Sequence, residues 1–300
     1  MRLHRILFPV FLFLGVSASP AGMLSSSAEQ PAWDAFNQSG PPAETVRYLP
    51  GSNPLHELDL YPASSRFTKN GGQPPVLILI HGGGWGGGTR EALAPHARYF
   101  AALGWECVNI SYRLTNAPGV TLMNAQEDVR AAFDWVRAEA GKRGWDATHL
   151  VALGESAGGQ LACALGILPP DPKRSRAHSL VLINPVLDLT KLSWALNQPG
   201  LREAGAFNDA SAKEHPARLV SPVFNLNAEC PPVLLVHGRD DSVVPFSQAE
   251  AFAARAKQVN ANVSLVPLEK TNHAFLLREY GSPDVMRSTL KQIAEYLGPH

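Results

Sequence analysis

The sequence predicts an α/β fold: a mostly parallel, eight-stranded sheet with helices on both faces and a short insertion after the sixth strand. Three observations predict it. Short apolar runs recur along the chain, segments of helical periodicity alternate with them, and glycine-rich turns stand where a strand must give way to a helix.

Taken in order, residues 45–49 and 55–61 read as two antiparallel strands around Pro50-Gly51, and a turn at 70–75 feeds the apolar strand 76–80. Helical patterning at 91–103 precedes strand 106–111. The segment 123–143 is amphipathic, with Val129, Ala132, Phe133 and Val136 on one face. A buried strand at 150–153 runs into the helix opened by Ala157. Strands at 180–183, 233–236 and 263–268 and helices at 247–258 and 284–297 complete the order, with the less regular stretch 187–228 as the insertion. No repeat or linker divides residues 45–300, which are expected to form one domain, with 187–228 over its site.

The bulk properties are those of a globular chain. Its 300 residues are 45% hydrophobic and 17% charged, enough for one large core, and 26 basic residues balance 26 acidic ones. That balance gives no footprint for nucleic acid. At the start, Arg2, His4 and Arg5 precede an apolar run at 6–16 and the small residues Ser17-Ala18. This pattern predicts a signal peptide over 1–18 and export to the periplasm or beyond; the run is shorter than the roughly 20 residues of a membrane span. No cysteine follows it, so no stable membrane anchor is expected. Residues 19–44 are polar and turn-rich and are expected to be a loosely packed lead-in. Cys107, Cys163 and Cys230 read as buried and unpaired, and the scattered histidines offer no metal spacing, so no metal or cofactor is expected.

The chemistry is carried by "LVALGESAGGQLA", residues 150–162. A turn that reverses a buried strand into a helix within so few residues strains its central residue and requires nearly bare neighbours at −2 and +2. Gly154 and Gly158 provide them, and Ser156 is presented as a nucleophile. Attack on an ester carbonyl places negative charge on its oxygen, which needs converging N–H donors. The run His81-Gly82-Gly83-Gly84 after strand 76–80 is suited to supply them, from Gly83 and Gly84, with Ala157 completing the oxyanion hole. His81 reads as a structural anchor, because the expected order is serine, acid, histidine. Downstream, "HGRDDSVVP" (237–245) offers Asp240 and Asp241, and "TNHAF" (271–275) offers His273. Asp241, three residues before Val244-Pro245, is the expected acid; Asp240 occupies a turn position facing solvent. His237 reads as hydrogen-bonded within its loop. Trp85 and Phe275 are the expected substrate contacts.

Together, "HGGGW" (81–85), "SYRL" (111–114), "GESAGG" (154–159), "HGRDDSVVP" (237–245) and "NHAF" (272–275) resemble the α/β-hydrolase superfamily. The likeness is to the esterases spanning hormone-sensitive-lipase-like enzymes and bacterial acetylxylan/feruloyl-esterase-like proteins. "LHELDLYPA" (55–63) resembles the polysaccharide-esterase branch. Asn272 departs from the small residue usual before the base, and 187–228 is short for a lipase cap. Arg113 and Asp128 fit the family's structural positions as an ion pair. The resemblance implies two-step acyl transfer without a cofactor. The apolar residues of 187–228 lack a sustained helical period, so an open cleft is expected, suited to short-chain esters that include acetyl groups on carbohydrate. The alternatives within the fold are an amidase, a peptidase or a lipase; from another class, a non-catalytic binding protein on a hydrolase scaffold.

Overall fold

The computed structural model describes residues 26–65, 72–168, 176–199, 201 and 216–298. The signal-peptide reading of 1–18 lies outside them, as do residues 200 and 202–215 of the insertion. Eight strands form one sheet in the order β1-β2-β4-β3-β5-β6-β7-β8. They are β1 (Glu44–Arg47), β2 (Glu57–Tyr61), β3 (Val76–Ile80), β4 (Glu106–Ile110), β5 (Leu150–Glu155), β6 (Ser179–Ile183), β7 (Val233–Gly238) and β8 (Val263–Leu268). The pairs β1/β2 and β2/β4 are antiparallel; all others are parallel.

The interior parallel strands are buried along their length and mostly apolar because both faces of the sheet are covered. In β3, Val76, Ile78 and Ile80 enter one core while Leu77 and Leu79 enter the other. The same alternation places Leu180 and Leu182 of β6 on the first side and Val181 and Ile183 on the second. The first core is covered by α3 (Leu122–Arg143), α4 (Ala157–Ala162) and α8 (Ser247–Val259), the second by α2 (Ala94–Ala102) and α9 (Pro283–Leu297). Helix α3 begins at a capping box in which Thr121 and Asn124 satisfy each other's backbone N–H, and ends at Gly144 in the left-handed conformation.

The expected loose lead-in is corrected. Residues Ser26–Asn37 form a helix, α1, that packs on α2 and buries Ala28, Ala32 and Phe36 in the second core. These three recur every fourth residue, a single helical face that the surrounding serines and Pro31 obscured. Trp33 stacks on Phe36 with ring centroids 4.8 Å apart, and Glu29 pairs with Arg287 of α9 at 3.0 Å.

Within the insertion the described residues form only short pieces, a 3-10 turn at Leu189–Lys191, α5 (Ser193–Leu196), α6 (Pro216–Leu219) and α7 (Pro222–Asn225). Leu189, Ala195 and Leu201 are buried in the first core. The three cysteines are buried and unpaired. Arg113 and Asp128 form the expected ion pair, two-pronged at 2.7 and 2.8 Å.

Candidate active site

Ser156 stands between β5 and α4 with φ 54° and ψ −120°, a region that non-glycine residues rarely enter. The strain is imposed by crowding. A Cβ on Gly154 would overlap the carbonyl of Gly158, and one on Gly158 would overlap the carbonyls of Ile80 and His81. The backbone N–H of Ser156 donates to Ile183 O at 2.8 Å, which ties the turn to β6.

The loops after β7 and β8 deliver two partners to the same spot. Ser156 Oγ lies 2.8 Å from His273 Nε2, and His273 Nδ1 lies 2.7 Å from Asp241 Oδ2. The other carboxylate oxygen of Asp241 accepts the N–H groups of Val243 at 2.9 Å and Val244 at 2.8 Å. His237, fully buried, adds Nε2 at 3.2 Å from Asp241 Oδ2 while contacting Val244 O at 2.8 Å. Burial opposes the charge on Asp241, but the hydrogen bonds from His237 and His273 outweigh it. Its carboxyl is held well below the usual carboxylate range. Asp240 is exposed and lies outside this chain of contacts.

Two side chains lock the loops together. Asn272 Oδ1 accepts from the N–H and hydroxyl of Ser242, both at 3.1 Å, and from its neighbour His273 N at 2.7 Å. Asn184, in a left-handed conformation after β6, accepts from Gly238 N at 2.9 Å and donates to His273 O. The departure at position 272 thus has a physical use: an amide there cross-links the acid loop to the base loop. Sequence reasoning did not identify Asn184; its signal was the Asn-Pro pair closing an apolar strand.

Opposite Ser156 runs the loop after β3. Gly83 has φ +111° and packs so closely on Gly87 that a side chain would collide with it. The imidazole of His81 lies flat on Tyr112, ring centroids 4.3 Å apart, and burial lowers its pKa to about 4. His81 is therefore a neutral anchor near pH 7. Its Nδ1 donates to Gly82 O at 2.8 Å, and Tyr112 OH donates to His81 O at 2.8 Å.

These elements border a cleft of about 640 Å³ whose walls include Gly83, Gly84, Ser156, Trp194, Val243 and His273. One expected substrate contact is corrected. Trp85 is fully buried: with φ 61° its indole turns inward and donates to Gln160 Oε1 at 3.1 Å. Trp194 of the insertion, 5.5 Å from the Trp85 ring, borders the cleft instead. Phe275 packs in the second core and borders a hollow that shares Ser242, Val243 and His273 with the cleft. The arrangement can take a proton from Ser156, hold it on His273, and present backbone N–H groups to an adjacent oxyanion.

Residues 58–256 match the BD-FAE family model. "Probable carboxylic ester hydrolase LipM" of Mycobacterium tuberculosis is 34% identical over 217 residues, 68% of this chain and 50% of that protein. "Esterase LipC" of the same organism is 30% identical over 246 residues, 76% of this chain and 59% of that protein. The chain thus spans little more than half the length of these relatives. The apo form of Thermogutta terrifontis esterase 2 superposes with a TM-score of 0.72 at 29% identity, covering 87% of this chain and 95% of that one. With its matched segment spanning most of the sheet and the Ser156 turn within it, the chain belongs to the BD-FAE family, on the α/β-hydrolase fold.

Proposed function

We propose that the protein is a serine carboxylesterase of short-chain acyl esters. The observation that carries this reading is the continuous Ser156–His273–Asp241 chain, at 2.8 and 2.7 Å, facing the glycine loop. Ser156 Oγ attacks the ester carbonyl carbon as its proton passes to His273 Nε2, and Asp241 stabilises the imidazolium. The carbonyl oxygen gains the negative charge, toward the N–H groups of Gly83, Gly84 and Ala157. Collapse breaks the bond to the alcohol oxygen, which takes the proton from His273 and leaves an acyl-serine. Water then gives a proton to His273, attacks the acyl carbon and releases the acid as Ser156 regains its proton.

Apolar walls from Ala92, Trp194, Val243 and Leu277 suit a small acyl group. Thermogutta terrifontis esterase 2 has been solved with propionate and with butyrate bound, which supports that size. Because His273 must protonate the departing oxygen, the alcohol lies toward His273. Beyond it a hollow of about 540 Å³ is bordered by Lys270, Asn272, Tyr280 and Ser282, a lining suited to a hydroxylated alcohol such as an acetylated sugar. Export, read from residues 1–18, belongs to the same proposal and fits polymeric substrates.

A p-nitrophenyl ester series tests this. Acetate and butyrate should turn over, a fluorophosphonate should abolish the activity, and Ser156→Ala should lower kcat by several orders of magnitude, on the order of 10³ or more. The value of kcat/KM should fall at least tenfold by dodecanoate, about 1.4 kcal/mol of transition-state binding. A profile rising with chain length overturns the short-acyl reading, and no turnover of any ester overturns the esterase.

A further inference from the structure

Glu155 closes β5 immediately before Ser156, and its side chain is 5% exposed at the wall of the cleft. It takes no part in the proton path from Ser156 to Asp241. Its carboxyl packs against the backbone of Gly82, whose N–H favours the ionised form. The fit is close: a Cβ on Gly82 would stand 2.8 Å from Glu155 Oε2.

That contact completes a clamp. The peptide joining His81 to Gly82 is held from two sides, its carbonyl by Tyr112 OH at 2.8 Å and its Gly82 end by the Glu155 carboxyl packed against it. In the next peptide the Gly82 carbonyl is turned to His81 Nδ1 at 2.8 Å. A planar trans peptide points its C=O and N–H in opposite directions. With that carbonyl held by His81, the N–H of Gly83 points away from the ring, and Gly83 borders the cleft. Nothing in the proton path fixes this orientation; the clamp does.

We propose that Glu155 is a positioning residue whose carboxyl group holds the glycine loop so that the Gly83 N–H faces the oxyanion formed on Ser156. The proposal rests on the esterase reading above. Burial pushes the Glu155 carboxyl up to about 7, the nearby Asp241 carboxylate adds to the rise, and His273 and the Gly82 N–H oppose it. The groups around it are Ser156 on its own turn, His81 and Gly82 after β3, Tyr112 after β4, and Asp241 and His273 after β7 and β8. An ionised carboxylate accepts the Gly82 N–H more strongly than a protonated one. The proton on Glu155 therefore modulates how firmly the loop is held near neutral pH.

The test compares Glu155→Ala, Glu155→Gln and wild type on p-nitrophenyl acetate, with a trifluoromethyl ketone as probe, since its serine adduct places an oxyanion in the same hole. Glu155→Ala should lower kcat roughly 10- to 100-fold, somewhat less than deleting an oxyanion donor outright. KM should stay within about twofold, because the loss falls on the transition state. Ketone affinity should fall by the same factor as kcat/KM. Glu155→Gln keeps an acceptor oxygen and should recover most of kcat at pH 8, while its rate–pH profile loses the ionisation near 7. A folded Ala variant with wild-type kcat, or one whose ketone affinity is unchanged while kcat falls, overturns the proposal. If Glu155→Ala does not fold, a Gln variant with a wild-type pH profile overturns it equally. Absence of turnover by the wild type would instead sink the esterase reading.

Discussion

Two aspartates stand side by side after β7, and their surroundings separate them. Asp241 is buried and receives His273, His237 and two backbone N–H groups, whereas the Asp240 side chain is exposed. Asp241→Asn should reduce kcat by up to about 10⁴, because an amide cannot stabilise the imidazolium or fix its tautomer. Asp240→Asn should leave it within about twofold; a crippled Asp240→Asn beside a mild Asp241→Asn, measured on one ester, would reverse the assignment. The choice was legible because Asp241 precedes Val244 by the spacing of a carboxylate that caps its own turn. The inward turn of Trp85 was not. Its indole direction follows from a positive φ and from Gln160, a partner far away in sequence.

At the level of elements, the strands were readable because burial on both faces leaves short apolar runs with sharp ends. Helix α3 was readable from its amphipathic face. Helix α1 was missed because composition outweighed periodicity: Ser25-Ser26-Ser27 and Pro31 signalled a turn, while Ala28, Ala32 and Phe36 carried the helical spacing. This helix supports the site from behind. Phe36 meets the edge of His96 at a centroid distance of 5.4 Å, and His96 Nε2 lies 3.0 Å from Leu276 O in the His273 loop. Burial lowers the pKa of His96 to about 4, so it makes that contact uncharged. Phe36→Ala should therefore cost about 3 kcal/mol of stability in urea unfolding, the usual loss for an aromatic side chain deleted from a core. A cost below about 1 kcal/mol would show that α1 is peripheral.

For the molecule as a whole, two buried carboxyls set a dependence of stability on pH. Burial raises Glu106, at the start of β4, and Glu155 to about 7 each. Unfolded, each would titrate at about 4.3. Between those values the folded state holds carboxyl protons that the unfolded state has released, so the contribution of these two groups falls as pH rises through this window, while His81 and His96, lowered to about 4, act in the opposite sense up to about 6.5. Asp241 acts in the opposite sense at lower pH, where protonation removes the stabilisation its low pKa provides. Glu106→Gln should flatten the decline between pH 5 and 7.5 by about 1 kcal/mol or more, read from urea unfolding at each pH. An unchanged slope would show that Glu106 is not held protonated. The sheet order has a further effect. Ser156 and Asp241 follow the interior strands β5 and β7, but His273 follows β8, a half-exposed edge strand whose one strand neighbour among the described residues is β7. Edge strands open at lower free energy than the strands they flank. The ties of His273 inward run through Asn184, Asn272 and Asp241, side chains from separate loops. Warming should therefore free His273 before the interior strands part, so that turnover is lost below the temperature at which the core unfolds; loss of turnover coincident with core melting would overturn this.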